Sequence, residues 1–476
     1  MQKEVENIYL TRVLSQVPRL LSSLNRSPLS GTYGSLDREH WLLHTSDIPN
    51  ARKQEAIWFL ALLYSSNFKG NIYYKDQQIL KWINAGLDYL IKIQHDDGSF
   101  DELFYNERSF VCTSFVLVAV AQCALLFKNG ELVNRNKIES LLRKASDYVL
   151  NEYESVASNQ TAGNILALVL TSQVLGEDAY KEHASLKLER FLLEQNEEGW
   201  WSEYGGPDIG YLSLTVDYLK LINVHFELGK VGNAIEKAVN FLSYFLHPNF
   251  TAGGEYGYRD TGYVVPSGHR LFQEFGARAL EAGTATWPGS MSDDYMLTML
   301  SHWLRAGLTY RPGEELLKVV LENDVERNFK NSRLFVKRSK NYYIAYNTNK
   351  GGAFTLVSNV GHYSDSGAIV EIKEISQTPI LGLLFKISNL IFGPLKFFRS
   401  FLKRYLRKQL IFKRPIYHER IFKLDKNEVT IIGRHGEKAA YGNNQSSRFF
   451  DPMELANDRL MPIIEGDRRV FHLEKI

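Results

Sequence analysis

Two stretches, Gln94-His-Asp-Asp-Gly-Ser-Phe100 and Gln195-Asn-Glu-Glu-Gly-Trp-Trp201, share one pattern: Gln, any residue, acid, acid, Gly, any residue, aromatic. Each follows a segment in which apolar residues recur every three or four positions, 79–93 and 180–193. That period marks an amphipathic helix, and glycine then lets the chain turn where other residues resist. The two copies stand 101 residues apart, about two helical hairpins. Repeated hairpins with matching loops predict an α/α toroid, an incomplete barrel of helical hairpins.

Working outward, the same period recurs over 56–64, 110–127, 138–150, 162–175, 212–228, 231–245, 272–282, 295–306 and 314–322. No proline falls between Pro49 and Pro207 to break these helices. After about residue 330 the character changes. Short runs rich in β-branched and aromatic residues follow at 332–337, 342–347, 353–358, 368–372, 419–424, 428–433 and 469–473. The expected fold is therefore multidomain α+β. An N-terminal α/α toroid occupies 1–330, and an antiparallel β-sheet or sandwich domain occupies 331–476. A basic amphipathic insertion interrupts the β domain at about 379–413.

The chain has 476 residues, 44% apolar and 23% charged, a globular balance that can bury a core without staples. Its two cysteines, Cys112 and Cys123, lie in one apolar run and read as small buried hydrophobes, which excludes a disulfide framework. The acidic N-terminus is not a secretory signal, and a cytoplasmic location is expected. Aromatic residues reach 13%, with 26 Tyr and 27 Phe, which suits stacking against sugar rings as well as a large core.

Eight Lys and Arg and no acid fall within 380–413, whereas the formal net charge of the whole chain is only +2. Positive charge is thus local, and no nucleic-acid footprint is present. Apolar runs in this segment are cut by Lys386 and Pro394, so it is not expected to span a bilayer. It reads as a helix on an anionic membrane surface, placing the protein peripherally at the inner membrane face, or as a surface for a partner protein.

Polar and aromatic residues gather at the expected helix ends, where a toroid opens its cleft. The first cluster is Phe100-Asp-Glu-Leu-Phe-Tyr-Asn-Glu-Arg-Ser109, with Tyr105, Asn106, Glu107 and Arg108 as substrate-binding candidates. The second is Trp200-Trp-Ser-Glu-Tyr-Gly-Gly-Pro-Asp-Ile-Gly-Tyr211, with Trp201, Glu203, Tyr204 and Asp208. The third, Glu255-Tyr-Gly-Tyr-Arg-Asp-Thr-Gly-Tyr263, adds Tyr256 and Tyr258 and is followed by His269. A fourth, Tyr33-Gly-Ser-Leu-Asp-Arg-Glu-His-Trp41, precedes His44 and Asp47. Capped helix ends with satisfied surface pairs would have the same composition. Four such clusters on one expected side favour a cleft. His40 and His44 have the i, i+4 spacing of helical zinc ligands, but no glutamate follows His40, so no metal or other cofactor is expected.

The stretches Ser158-Asn-Gln-Thr-Ala-Gly-Asn-Ile-Leu-Ala-Leu168, Val174-Leu-Gly-Glu-Asp-Ala-Tyr-Lys-Glu-His-Ala184 and 199–219 together resemble the heparinase II/III-like polysaccharide lyases. Gly351-Gly-Ala-Phe354 and Gly361-His-Tyr-Ser-Asp-Ser-Gly367 resemble part of that family's β domain. The resemblance implies a site in which Asn159, with Asn164 as alternative, neutralises a substrate carboxylate. It implies Tyr211, with Tyr204 second, as the catalytic tyrosine, and His362 as the β-domain histidine. Gln160 and Ser364 depart from the family pattern, standing where an asparagine and a histidine are expected. The glutamine–glycine loops also resemble those of squalene-cyclase and prenyltransferase toroids, but no Asp-x-Asp-Asp motif accompanies them.

The implied chemistry acts on a uronic acid, whose C5 proton is weakly acidic beside the carboxylate. Neutralising that carboxylate, by Asn159 or Arg259, stabilises the enolate-like intermediate. A tyrosine becomes a base when a cation such as Arg259 or Arg108 lowers its pKa from about 10. His269 or His362 would supply the second acid. Loss of the C4 substituent makes a lyase, and return of the proton to the other face makes a C5-epimerase. The expected partner is an acidic polysaccharide or oligosaccharide, in surface-glycan biosynthesis. A non-catalytic glycan-binding or assembly protein is the main alternative, and a glycosidase using Glu203 with Asp208 is the next.

Overall fold

The glutamines of the repeated loop hold the same post in both copies. Gln94 Nε2 donates to the carbonyls of Gly98 and Leu141, at 3.0 and 3.1 Å, and Gln195 Nε2 to those of Gly199 and Ala234, both at 2.9 Å. Gly98 and Gly199 have φ of 89° and 106°. A Cβ on either would fall 2.1 or 2.3 Å from the carbonyl oxygen of Lys144 or Lys237. Glycine is therefore required twice over, by conformation and by the close approach of the next helix. The backbone also repeats the loop where the sequence does not show it: Asn25 bonds with Gly34 and Ser35 as His247 does with Phe250 and Thr251.

The computed structural model describes residues 7–365 apart from 128–129, 227–228, 313–315, 323, 351 and 359–360, and beyond them the backbone of five strands. The basic segment 379–413 lies outside the described residues. Two compact units are present. One comprises the chain up to Glu203, Pro207–Gly253 and Thr261–Asp324. The other comprises Tyr204–Gly206, Gly254–Asp260 and the chain from Val325. A helix-rich N-terminal region is thus followed by an antiparallel β domain, and two short loops from within the helical stretch belong to the β unit.

The helices are α1 (Ile8–Ser23), α2 (Arg38–Trp41), α3 (Ala56–Ser65), α4 (Gln77–Ile93), α5 (Phe110–Leu126), α6 (Arg135–Val149), α7 (Ser158–Leu175), α8 (Asp178–Leu193), α9 (Ile209–Phe226), α10 (Gly229–Ser243), α11 (Arg270–Ala282), α12 (Asp293–Thr309) and α13 (Leu316–Glu322). They form two classes. In α4, α6 and α10 one stripe is buried and the rest is wet. By contrast α3, α5, α7 and α9 are buried nearly all round, which is why they are apolar with small polar residues.

The buried helices pack in the order α3, α5, α7, α9, and α12 packs on both α1 and α3. The outer helices α4, α6, α8 and α10 cover α3, α5, α7 and α9 respectively. Close approach inside this layer needs Gly163 of α7, where a Cβ would meet the rings of Phe115 and Tyr218 at 2.3 and 3.3 Å. Among the described residues no helix is long and apolar enough to cross a membrane.

In the β unit, β1 (Val325–Phe329), β2 (Leu334–Arg338), β3 (Tyr342–Asn347), β4 (Ala353–Ser358) and β5 (Gly361–Asp365) form an antiparallel meander. A second antiparallel sheet has the order β6-β7-β8-β10-β9, from β6 (Ile369–Glu371), β7 (Ile416–Asp425), β8 (Glu428–Ala439), β9 (Ile463–Glu465) and β10 (Arg468–His472). Ile344, Phe354 and Leu356 centre the first sheet's core, covered by Tyr342, Tyr346 and Tyr363. The sequence did not signal β1, β5 or β9 as strands. Residues Glu326–Asn328 of β1 are exposed and polar, and β5 reads Gly-His-Tyr-Ser-Asp, without an apolar alternation.

The loop 254–260 is fixed within the β unit by Lys350. Its buried ammonium donates to the carbonyls of Glu255 and Gly257, at 2.9 and 2.7 Å, and pairs with Asp260. Asn347 Nδ2 donates to the Tyr256 carbonyl at 2.9 Å. A buried ammonium with three acceptors satisfies the demand that buried charge be paired and hydrogen-bonded.

Candidate active site

The buried helices bring polar residues to their N-terminal ends, where unpaired backbone N–H groups and the helix dipole favour negative charge. A 3-10 helix over Ala51–Glu55 leads into α3 and carries Arg52 and Glu55. The Arg52 guanidinium lies 2.7 Å from Glu55 Oε1 and 3.6 Å from Glu102 Oε1, and rests 4.6 Å above the Phe115 ring. Its side chain keeps 23% of its surface exposed, against 10% for Glu55 and 19% for Glu102. Burial pushes the Glu55 carboxyl up, opposed by Arg52 and His302. Burial likewise raises Glu102, with Arg52 opposing and Glu107 and Glu55 adding repulsion.

Deeper along the helices, the Asp217 carboxylate of α9 is fully buried. It lies 2.7 Å from Nδ1 of His302 and accepts from Arg305 Nη1 at 2.8 Å, both on α12. Burial alone would raise its pKa, but Arg305 and His302 hold it well below the usual carboxylate range. Trp58 of α3 packs against this cluster, with Arg305 5.2 Å from its ring and His302 6.0 Å away edge-on. Trp58 Nε1 and Asp217 Oδ1 are buried without a hydrogen-bond partner among the described residues.

Asn159 and Glu203 meet at the start of α7, with the Asn159 backbone N–H and Nδ2 donating to the two carboxylate oxygens at 2.7 and 2.8 Å. Tyr211 is half-buried in the first turn of α9, its N–H donating to Asp208 Oδ1 at 3.2 Å. Asp208 also accepts from the Thr261 hydroxyl and N–H, which ties the start of α9 to the segment before Tyr263. Tyr263 is 7% exposed, and its hydroxyl has no hydrogen-bond partner among the described residues. Burial pushes this phenol well above its ordinary value, reinforced by Tyr211, Tyr295 and Asp208 and opposed by Arg52. A cation, three tyrosines and one carboxylate thus share one electrostatic neighbourhood.

The structure places the other expected site residues as follows. Tyr105 is exposed at a loop tip, and Asn106 and Arg108 adopt left-handed backbone there. Glu107 accepts from the N–H groups of Glu102 and Leu103, and Arg108 pairs with Asp97, so both shape that loop. Trp201, expected to bind substrate, lies in the core. It is 1% exposed, stacked on Phe191 at 4.9 Å, and donates its indole N–H to the Phe191 carbonyl. His269 caps α11, accepting from Leu271 N–H at 3.2 Å, with its other nitrogen 3.7 Å from Glu236. Asn164 is fully buried, bonded to Ser114 and Lys187.

Five expected residues belong to the β unit. The Arg259 guanidinium lies 4.2 Å over the Tyr204 ring, Tyr256 and Tyr258 are buried, and His362 stands exposed on β5. Sequence reasoning missed Arg52, Glu55, Tyr263, Asp217, His302 and Arg305. A signal for some was present: Asp217 is the one charge in the run 212–219, and Arg52-Lys-Gln-Glu55 abuts the apolar run 56–64. Among the described residues no group of three or more His, Cys, Asp or Glu is placed to hold a metal ion.

No family model and no curated protein matches the chain. Among solved structures, a Streptomyces coelicolor A3 chondroitin AC lyase in complex with chondroitin sulphate aligns at 12% identity and a TM-score of 0.49, over 75% of this chain and 55% of that one. A Paenibacillus xanthan lyase aligns at 9% identity and a TM-score of 0.46, over 75% of this chain and 38% of that one. A Pedobacter heparinus heparan sulfate lyase mutant aligns at 11% identity and a TM-score of 0.41, over 92% and 66%. The chain spans about half or less of the length of the first two. It bears a diffuse, low-identity structural resemblance to several polysaccharide lyases, chondroitin and heparin lyases among them.

Proposed function

We propose that the protein acts on an acidic, uronate-containing polysaccharide by abstracting the C5 proton, as a lyase or a C5-epimerase. The observation that carries this reading is the partly exposed Arg52 guanidinium at the helix N-termini, paired with Glu55 and resting over Phe115, whose charge also acts on Tyr263, itself beside Tyr211, Tyr295 and Asp208. In this reading α3, α5, α7, α9 and α12 close as an α/α toroid around that group. Arg52 takes the uronate carboxylate, and its positive charge stabilises the enolate-like state that forms when C5 loses its proton. Tyr211 takes that proton, and the Tyr263 O–H donates a hydrogen bond to the charge that develops. Asn159, fixed by Glu203, lines the same end of the helices. Arg52 replaces Arg259 and Arg108 as the cation of the mechanism.

The hydrolase alternative is weakened because Glu203 accepts from Asn159 and Asp208 from Thr261 and Tyr211. A setting in surface-glycan synthesis at the inner membrane face, with 379–413 on lipid or a partner protein, completes the proposal. The test is incubation with uronate polymers in heavy water, followed at C5 by NMR. A new C4=C5 double bond identifies a lyase, and deuterium at C5 in intact chains identifies an epimerase. Binding without either outcome identifies a glycan-binding protein and overturns the reading.

A further inference from the structure

Arg52 already stands between two carboxylates, Glu55 at 2.7 Å and Glu102 at 3.6 Å. A third carboxylate docking on the same guanidinium would leave one cation among three anions in a largely buried site. Like charges this close do not all remain ionised, so one proton must enter. The candidates differ in how firmly they are held. Glu55 makes the shorter contact with Arg52 and also faces His302 of α12, itself anchored to Asp217. Glu102 makes the longer contact, is the more exposed of the two, and faces a further carboxylate, Glu107, on its own loop. The remaining titratable neighbours are the Cys112 thiol of α5, which faces Glu102, Glu55, Glu107 and Arg52, Tyr218 of α9, which faces Glu55 and Arg52, and Tyr263, which faces Arg52. Glu102 is the anion with the least compensation.

We propose that a uronate carboxylate docking on Arg52 drives a proton onto Glu102, and that this carboxylic acid is the proton donor of the reaction. This rests on the C5 reading above and assigns the second proton-transfer group, expected at His269 or His362, to a different residue. In elimination, the Tyr211 phenolate takes the C5 proton, the C5–H pair becomes the C4=C5 bond, and the C4–O4 pair leaves with O4. O4 takes the Glu102 proton, leaving Tyr211 neutral and Glu102 ionised, and exchange with solvent restores both. In epimerisation the Glu102 proton goes to C5 instead.

The test is titration calorimetry of the full chain with hyaluronan, heparosan and polygalacturonate oligosaccharides in two buffers of different ionisation enthalpy, beside C5 exchange in heavy water. The expected result is uptake of about one proton per oligosaccharide bound by the wild type. Glu102→Gln should keep the binding but lose the uptake, with turnover reduced by about 10²–10⁴-fold. Glu102→Asp should retain the uptake, which separates a lost proton site from a damaged loop. Binding with C5 exchange but no proton uptake, or uptake unchanged in Glu102→Gln, overturns this inference while leaving the C5 reading intact. Failure of every uronate oligosaccharide to bind or exchange overturns the C5 reading, and the role of Glu102 with it.

Discussion

His302 and Asp217, 85 positions apart, meet at 2.7 Å between Nδ1 and Oδ2, joining α12 to α9 inside the helical unit. With Arg305 on the same carboxylate oxygen, the contact links the last long helix to α9, the last of the row of buried helices. A carboxylate this deep would be unfavourable alone and is stable here because two donors converge on it.

Replacing that carboxylate tests its weight. Asp217→Asn should destabilise the fold by about 3–5 kcal/mol near neutral pH, since it leaves the Arg305 charge without its partner. Because the folded-state pKa of Asp217 is depressed, its contribution is full above the unfolded value of about 3.9 and is lost as pH falls through the folded value. Urea unfolding at pH 7 and pH 3 should therefore show the gap between wild type and variant narrowing in acid.

Two tyrosines should separate chemistry from stability. Tyr211→Phe should lower turnover by about 10²–10⁴-fold while oligosaccharide affinity changes little. Tyr263→Phe removes a buried hydroxyl that has no partner among the described residues, so it should unfold no more easily than wild type, or gain up to about 1 kcal/mol. Its turnover should still fall. Thermal melts and C5-exchange rates on the same samples decide both.

Arg52→Lys keeps the charge but loses the planar fork that engages a carboxylate from two nitrogens. We expect kcat/KM to drop by about 10²–10³-fold, with most of the loss persisting at saturating substrate. A change in KM alone would assign Arg52 to binding rather than to the developing charge.

Lys187 offers a pH test of the helical core. Its ammonium reaches the carbonyls of Val149 and Glu152 and Asn164 Oδ1 at 2.6–2.9 Å, and burial, partly opposed by Glu152, lowers its pKa to about 8. Between that value and the unfolded value of about 10.4, the unfolded chain binds more protons at this site. Wild type should therefore gain stability relative to Lys187→Met as pH rises through that window, measured by urea midpoints at pH 7.5 to 10.

The repeated loops carry a geometric prediction. Gly98→Ala places a Cβ 2.1 Å from the Lys144 carbonyl oxygen, whereas Gly176, also left-handed, has nothing within 4 Å. The first change should cost about 3 kcal/mol or more and the second about 1 kcal/mol, read from denaturant unfolding of the two variants.

The sequence by itself determined most of the local elements, β1, β5 and β9 excepted. A helical apolar period, a proline-free stretch and the glutamine–glycine loops specify hairpins, because backbone geometry and amphipathic burial act over a few residues. The β-branched runs after 330 specify strands for the same reason. Only the tertiary structure decided which polar residues meet. Glu102 reaches Arg52, and His302 reaches Asp217, by tertiary packing that no local pattern encodes. It also decided that Trp201 joins the core and that 254–260 belongs with the β unit, anchored by Lys350. Burial and charge pairing depend on long-range approach, so the residue types near a site were legible while the partners that give them chemistry were not.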